Sequence, residues 1–179
     1  MDSDQNSQSN NTVPASKIHI PQMVAIFRQG QNQHHDLFPK IFCPPDNQEK
    51  IVQYLNGYLK PRNPLRTRKN YSLVWCIDDI PVGYVLYQIH HSSNVFFGDD
   101  RWMCFVDDIA IDTAHHGKGG GSTLLQRVIE HTEQLKNCII HAQVWRGNEA
   151  SKALFNKFNF DDTAINFYRL PNNANNEQG

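Results

Sequence analysis

Asp107-Asp108-Ile109-Ala110-Ile111-Asp112-Thr113-Ala114-His115-His116-Gly117-Lys118-Gly119-Gly120-Gly121-Ser122-Thr123-Leu124-Leu125 is the stretch whose reading decides the fold. It begins as the end of a β-rich run, Trp102–Ile111, and passes through four glycines between 117 and 121. It continues as an amphipathic helix with Leu124, Leu125, Val128, Ile129 and Leu135 inward. A strand that feeds through glycines into a helix lines up unpaired backbone N–H groups at a positive helix end, which binds an anion. Glycine is needed because a Cβ would hold the backbone away from phosphate oxygens and because such loops require positive φ. Each charge-assisted N–H bond contributes ~1.5–3 kcal/mol. A glycine cluster alone is as often only a turn. The competing phosphate motifs fit badly: Ser122 stands where a G-x-G-x-x-G starting at Gly117 needs glycine, and no G-x-x-x-x-G-K-[ST] occurs.

Outward from this junction, the spacing predicts helices over Ile18–Gln29 and Asp46–Leu59, the second with Asp46 as N-cap and Glu49 completing a capping box. Tyr71–Ile77 and Val82–Ile89 read as strands of a hairpin around Asp78-Asp79-Ile80-Pro81. Downstream come a strand over Cys138–Val144, a helix over Asn148–Phe158 and an extended segment over Phe160–Leu170. Helices, antiparallel strands and then β-α-β-α-β imply an α/β (α+β) domain with a mixed sheet flanked by helices. Residues 17–170 form that domain. The polar stretches 1–16 and 171–179 bury too little to offset their ordering entropy and read as disordered tails.

The chain of 179 residues is 39% hydrophobic and 20% charged, which suits one domain with its own core. A net charge of −1 without a Lys/Arg block argues against nucleic acid or an anionic membrane as partner. No apolar run approaches the ~18 residues of a bilayer span, and the first 16 residues lack the apolar core of a secretory signal. Cys43, Cys76, Cys104 and Cys138 are widely spaced, and three lie in apolar runs, as reduced thiols of a cytoplasmic protein would. The His pairs 34-35, 90-91 and 115-116 have no metal-ligand spacing, so no metal is expected.

Ile111-Asp112-Thr113-Ala114-His115-His116-Gly117-Lys118-Gly119-Gly120-Gly121-Ser122-Thr123-Leu124-Leu125 resembles the pyrophosphate loop of GNAT acetyltransferases, Gln/Arg-x-x-Gly-x-Gly/Ala. His116 departs from Gln/Arg, and Gly120 replaces the usual apolar residue, a change expected to loosen the loop. Asn148-Glu149-Ala150-Ser151-Lys152-Ala153-Leu154-Phe155-Asn156-Lys157-Phe158-Asn159-Phe160 resembles that family's N-x-x-A-x-x-L-Y-x-K-x-G-F. Asn148, Leu154, Lys157 and Phe160 agree, whereas Ser151 stands for Ala and Asn159 for Gly. Asn159 is tolerable because Asn accepts the left-handed conformation that ends helices. The resemblance covers about Ile18 to Leu170 and implies the GNAT fold with acetyl-coenzyme A as co-substrate. By resemblance, Ile109, Ala110 and Ile111 meet the pantetheine arm. His116, Gly117, Lys118, Gly119, Gly120, Gly121 and Ser122 meet the pyrophosphate, and Asn148, Ser151 and Phe155 belong to the cofactor site.

An amine attacks a thioester only when unprotonated, and freeing the lone pair of a lysine-like amine near neutral pH costs about 4 kcal/mol. A carboxylate that takes the proton lowers this barrier. Asp107-Asp108 resembles the acidic pair before the cofactor strand in polyamine acetyltransferases; both are catalytic candidates, with Asp107 as the base. In an extended strand the two should point to opposite faces. Satisfaction by nearby backbone or basic groups is the alternative role. Phe155 replaces the family's usual Tyr acid. The loss is survivable, since leaving a thiol of pKa ~8.5 as thiolate near pH 7.5 costs about 1.4 kcal/mol. Water, Tyr84 or Tyr168 are the substitutes. His34–Phe42 loosely resembles a segment bordering the acceptor site, which makes Asp36 and Phe38, with Tyr84, substrate candidates; it reads equally as a packed interhelical turn. The leading expectation is acetyl transfer to a small-molecule or peptide primary amine by direct attack in a ternary complex, by a monomer or homodimer. A coenzyme A-binding module without turnover and a protein acetyltransferase are the alternatives.

Overall fold

The computed structural model describes residues 10–60, 68–92 and 101–169. In chain order these form β1 (Asn10–Pro14), a single 3-10 turn (Lys17–His19), α1 (Ile20–Leu37), α2 (Gln48–Leu59), β2 (Arg68–Ile77) and β3 (Ile80–Ser92). There follow β4 (Arg101–Ile111), α3 (Gly120–Glu133), β5 (Cys138–Ala142) and α4 (Glu149–Lys157). The five strands lie side by side in sequence order. Each pair is antiparallel except β4 and β5, whose parallel pairing needs the α3 crossover between them. This is the mixed, helix-flanked sheet that the sequence order implies.

Local chemistry explains the joints. β2 and β3 are linked by Asp78 and Asp79 alone, at φ 49° and 63°. Two successive left-handed residues make the turn whose twist matches that of the strands, and Asp bears this conformation better than most. α2 starts two residues later than expected. Asp46 is engaged in a turn, its N–H donating to the Pro44 carbonyl (2.9 Å), and Asn47 becomes the cap by accepting from the Lys50 N–H (2.9 Å). α1 runs eight residues past Gln29, through Gly30, and that extension proves to matter for the site.

Asn10–Pro14 corrects the expectation of a loose tail through residue 16. It is paired along β2 from Asn10↔Ile77 to Pro14↔Leu73, so backbone bonding to a sheet edge orders a segment that buries little side chain. Residues 1–9 and the expected tail 171–179 lie outside the described residues. The extended segment expected over Phe160–Leu170 joins no strand through residue 169, and Ile165 and Phe167 are 80% and 91% exposed.

The sheet has a core on each face. Met23, Ile26, Leu55 and Tyr58 of α1 and α2 pack on Val74, Cys76, Tyr84 and Leu86. Leu124, Leu125, Val128 and Phe155 of α3 and α4 pack on Trp75, Val85, Cys104 and Val106. Alternate residues of β2 and β3 thus enter opposite cores, which explains why these strands read as nearly unbroken apolar runs.

Two irregularities of β4 create the site. β5 leaves it after Val106↔Ala142, while β3 stays paired as far as Ile111. Asp107–Ile111 therefore has a partner strand on one side and a gap on the other. The β3–β4 register also jumps, Leu86 facing Asp108 and Tyr87 facing Val106, so Asp107 is the extra residue of a β-bulge.

Candidate active site

The glycine loop leads from the gap to the N-terminus of α3. Gly117 and Gly119 have φ 76° and 85°, and a Cβ built on either would meet nothing within 4 Å. The loop thus needs glycine for its backbone angle, and the space above it is open. Gly119 is the N-cap of α3, so the N–H groups of the first turn have no partner of their own within the helix. Lys157 brings a cation to this end: its Nζ donates to Ser122 Oγ at 3.1 Å.

Gly120 has a different reason. It is buried, and any side chain there would overlap the Trp75 ring, which is itself only 2% exposed. The indole fills the place of the apolar residue usual in this motif, so glycine here marks tight packing and corrects the expectation of a looser loop. Gly120→Ile should destabilise the domain by about 3 kcal/mol or more through overpacking. Urea unfolding measures this; a midpoint unchanged from wild type would show that Trp75 has somewhere to go.

His116 Nε2 donates to the Ile111 carbonyl at 2.9 Å. Because Asp112 N–H reaches back to Val82 on β3 (2.8 Å), strand alternation turns the polar groups of Ile111 and Ile109 toward the gap and those of Ala110 away. His116 thus spends one ring N–H on a carbonyl of the gap. Asn148 caps α4, its side-chain oxygen accepting from the Ser151 N–H (3.1 Å). Phe155 is 7% exposed, with its ring edge-on to Phe160 at 5.1 Å. Asn159 has φ 58°, the left-handed helix end its sequence position called for.

The acidic pair differs from expectation. The bulge brings both carboxylates to the α1/α2 face instead of opposite faces. Asp107 Oδ2 accepts from the Tyr58 hydroxyl (2.8 Å), and Asp108 Oδ2 from that of Tyr84 (2.6 Å). Gln88 Nε2 donates in turn to Tyr58 Oη (3.1 Å), and the Tyr54 ring lies 5.5 Å from that of Tyr58. Burial pushes the Asp108 carboxyl up to about 6; the Tyr84 hydroxyl and the Ile109 N–H favour its charged form, while Asp107 opposes it. Asp107 is exposed, and the rise it takes from partial desolvation is opposed by Tyr58, Arg68, Gln88 and His141. Burial pushes the Tyr58 phenol up to about 12 and that of Tyr84 well above its usual value, so both remain hydrogen-bond donors at neutral pH.

Of the substrate candidates, Tyr84 is corrected. It is fully buried beneath Asp108 and positions that carboxylate, and the same burial removes it as a substitute acid. Asp36 stands exposed near the outer end of α1. Phe38 caps α1, its ring 5.8 Å from that of Trp145. Sequence reasoning missed Tyr54 and Tyr58, although their i,i+4 spacing on α2 puts them on one helical face. A cavity of about 510 Å³ lined by Tyr58, Tyr71, Tyr87, Arg127 and His131 shares only Tyr58 with this site and none of the glycine loop. Among the described residues no group of three His, Cys, Asp or Glu could hold a metal, and no helix is long and apolar enough to cross a membrane.

The backbone resembles those of several solved proteins. The BH1408 protein of Bacillus halodurans, solved as a tetramutant, superposes with a TM-score of 0.74 at 16% identity, over 90% of this chain and 99% of that one. The aminoglycoside N-acetyltransferase AAC(6')-Iy in complex with CoA gives 0.68 at 16% identity, over 93% and 97%. The aminoglycoside acetyltransferase meta-AAC0020 from an uncultured soil metagenomic sample, in complex with sisomicin, gives 0.58 at 16% identity, over 90% and 96%. At such identities the likeness establishes the fold. No curated protein matches in sequence. The profile of the acetyltransferase (GNAT) family, however, matches residues 32–160, from the last turns of α1 to the residue after Asn159. With both motifs inside that match and the strand gap between them, the chain belongs to the GNAT acetyltransferase family.

Proposed function

We propose that this chain is an N-acetyltransferase that uses acetyl-coenzyme A and transfers the acetyl group to a primary amine within a ternary complex. The observation that carries the reading is the gap beside Asp107–Ile111, with an open glycine loop at one end and two carboxylates in its wall. The residues fit the cofactor: Gly117–Ser122 and Lys157 would hold the pyrophosphate, Ile109 and Ile111 the amides of the arm, and Asn148 with Ser151 the far bank. When bound, acetyl-coenzyme A supplies a thioester carbon to which the amine nitrogen bonds as the C–S bond breaks and the electron pair leaves on sulfur.

The chain's own residues manage the proton and the geometry. Asp107, exposed and held by Tyr58, takes the amine proton directly or through one water. Asp108, anchored by Tyr84, keeps a second negative charge beside it, which favours an ammonium ion at that place before the proton moves. Tyr58 holds this wall to α2, with the Tyr54 ring packed against its own.

Acetyl-coenzyme A at a hundredfold excess over its dissociation constant should raise unfolding stability by about 2.7 kcal/mol. A thermal-shift series measures it; no shift of well-folded protein at millimolar cofactor sinks the reading. Phe155, without a hydroxyl, and His116, which occupies the Ile111 carbonyl, favour a second reading: a coenzyme A-binding module without turnover. A clear thermal shift with no thiol release across an amine panel would select it.

A further inference from the structure

The gap has a second bank, and it is aromatic. Opposite Asp107–Ile111, the chain leaving β5 runs through Gln143-Val144-Trp145-Arg146-Gly147. α1 lies across the opening. At Gln29 it is tied to the β4 side, accepting from the Thr113 N–H (2.9 Å), and at Leu37 it overlies Gly147. Eight helical residues, about 12 Å of rise, separate these contacts, far more than the ~4.8 Å between paired strands. This is the extension of α1 beyond its predicted end.

Over the far bank stand four further rings. Phe42 meets Trp145 edge-on at 4.7 Å, Phe38 lies 5.8 Å and Tyr168 5.4 Å from it, and His34 lies 5.2 Å from Phe42. A clamp that only joined segments would bury its rings as Trp75 and Tyr84 are buried. Here Phe38, Phe42 and Trp145 are only half-buried, Tyr168 is 54% exposed, and Leu37 and Ile41 beside them are also exposed. His34 Nδ1, enclosed in this cluster, has no hydrogen-bond partner among the described residues. The charges on these segments cancel: Lys40, Arg146 and Arg169 balance Asp36, Asp161 and Asp162. A polycation such as a polyamine or an aminoglycoside finds no net attraction there, whereas a flat apolar group finds contact area.

We propose that the acceptor is a monoamine whose nitrogen is joined by a short chain to an aromatic body. Its ring rests on the wall of Phe38, Phe42, Trp145 and Tyr168 while its ammonium faces Asp107. The inference deepens the N-acetyltransferase reading and rests on it for the identity of the reacting group.

Equilibrium binding of 2-phenylethylamine, spermidine and sisomicin to the full chain saturated with coenzyme A, which cannot turn over, separates binding from chemistry. 2-Phenylethylamine should bind about tenfold or more tighter than either polycation. Trp145→Ala should weaken it about tenfold, and Tyr168→Ala, at an exposed position that the fold does not need, by about two- to fivefold, both with acetyl-coenzyme A affinity unchanged. Equal or tighter binding of spermidine or sisomicin, or an unchanged affinity in folded Tyr168→Ala, overturns the inference. Thiol release from acetyl-coenzyme A with the same amines then divides the claims. The expected binding order without any acetylation supports the aromatic acceptor site and removes the transferase reading. Acetylation led by a polycation keeps the transferase and removes the aromatic acceptor.

Discussion

Gly119→Asp should abolish acetyl-coenzyme A binding and leave the domain folded. Gly119 sits at φ 85° at the mouth of α3, and a Cβ there meets nothing within 4 Å. The substitution therefore costs backbone strain of about 1–2 kcal/mol but displaces no packed atom. Its carboxylate, however, enters the open space where the pyrophosphate would lie and sets its charge beside the N–H groups of the first helical turn. A negative charge is thereby set against the two of the pyrophosphate. Gly119→Ala separates the contributions: it carries the same strain without the charge, and its affinity should fall much less. Isothermal titration of both variants, with circular dichroism to confirm folding, decides the matter. Unchanged affinity in folded Gly119→Asp would mean that the phosphates bind elsewhere.

How far the sequence could be read depends on whether a feature is local. The Asp78-Asp79 turn, the left-handed Asn159 and the glycine loop each follow from what neighbouring residues can adopt, and each stands where the sequence puts it. Gly120 was visible as an anomaly, but its reason is Trp75, 45 positions earlier on another element. The two faces of Asp107 and Asp108 were misjudged because strand alternation holds only in an unbroken ladder, and a bulge is a property of two paired strands. Tyr84 lies in a nearly unbroken apolar run, whose pattern does not say which hydroxyl faces an open site; α1 and α2 cover its face and bury it. Asn10–Pro14 carries almost no apolar signal, since its order comes from backbone bonds to β2. The aromatic bank of the gap was the least legible part. Its rings come from segments around residues 38, 42, 145 and 168, which no local pattern connects.

The carboxylate pair allows the sharpest division of roles, because the second member should change stability as well as rate. Asp107→Asn should lower turnover by about 10²–10⁴-fold with cofactor affinity nearly intact, since the amide still accepts from Tyr58 but cannot take a proton. If the wild-type rate rises with pH and Asp107→Asn keeps the same profile, Asp107 is not the base, and Asp108 or a water chain inherits the role. Asp108 carries a stability cost as well. Its carboxyl is raised from 3.8 to about 6 in the folded state, mainly by burial. A raised acid binds its proton more tightly when folded, so its contribution is fully present below about pH 4 and lost as pH rises through about 6. Wild-type stability should therefore fall across that window. Asp108→Asn keeps an acceptor for the Tyr84 hydroxyl without the buried charge, so that fall should disappear. At pH 7.5 the variant should be more stable than wild type, on the order of 2–3 kcal/mol, and less active because the second charge beside the ammonium is gone. Urea unfolding at pH 4.5 and 7.5 reads the first effect and initial rates the second. A variant that is less stable than wild type at pH 7.5 would show that the ionised Asp108–Tyr84 bond outweighs its burial, and that this carboxylate serves the fold more than the reaction.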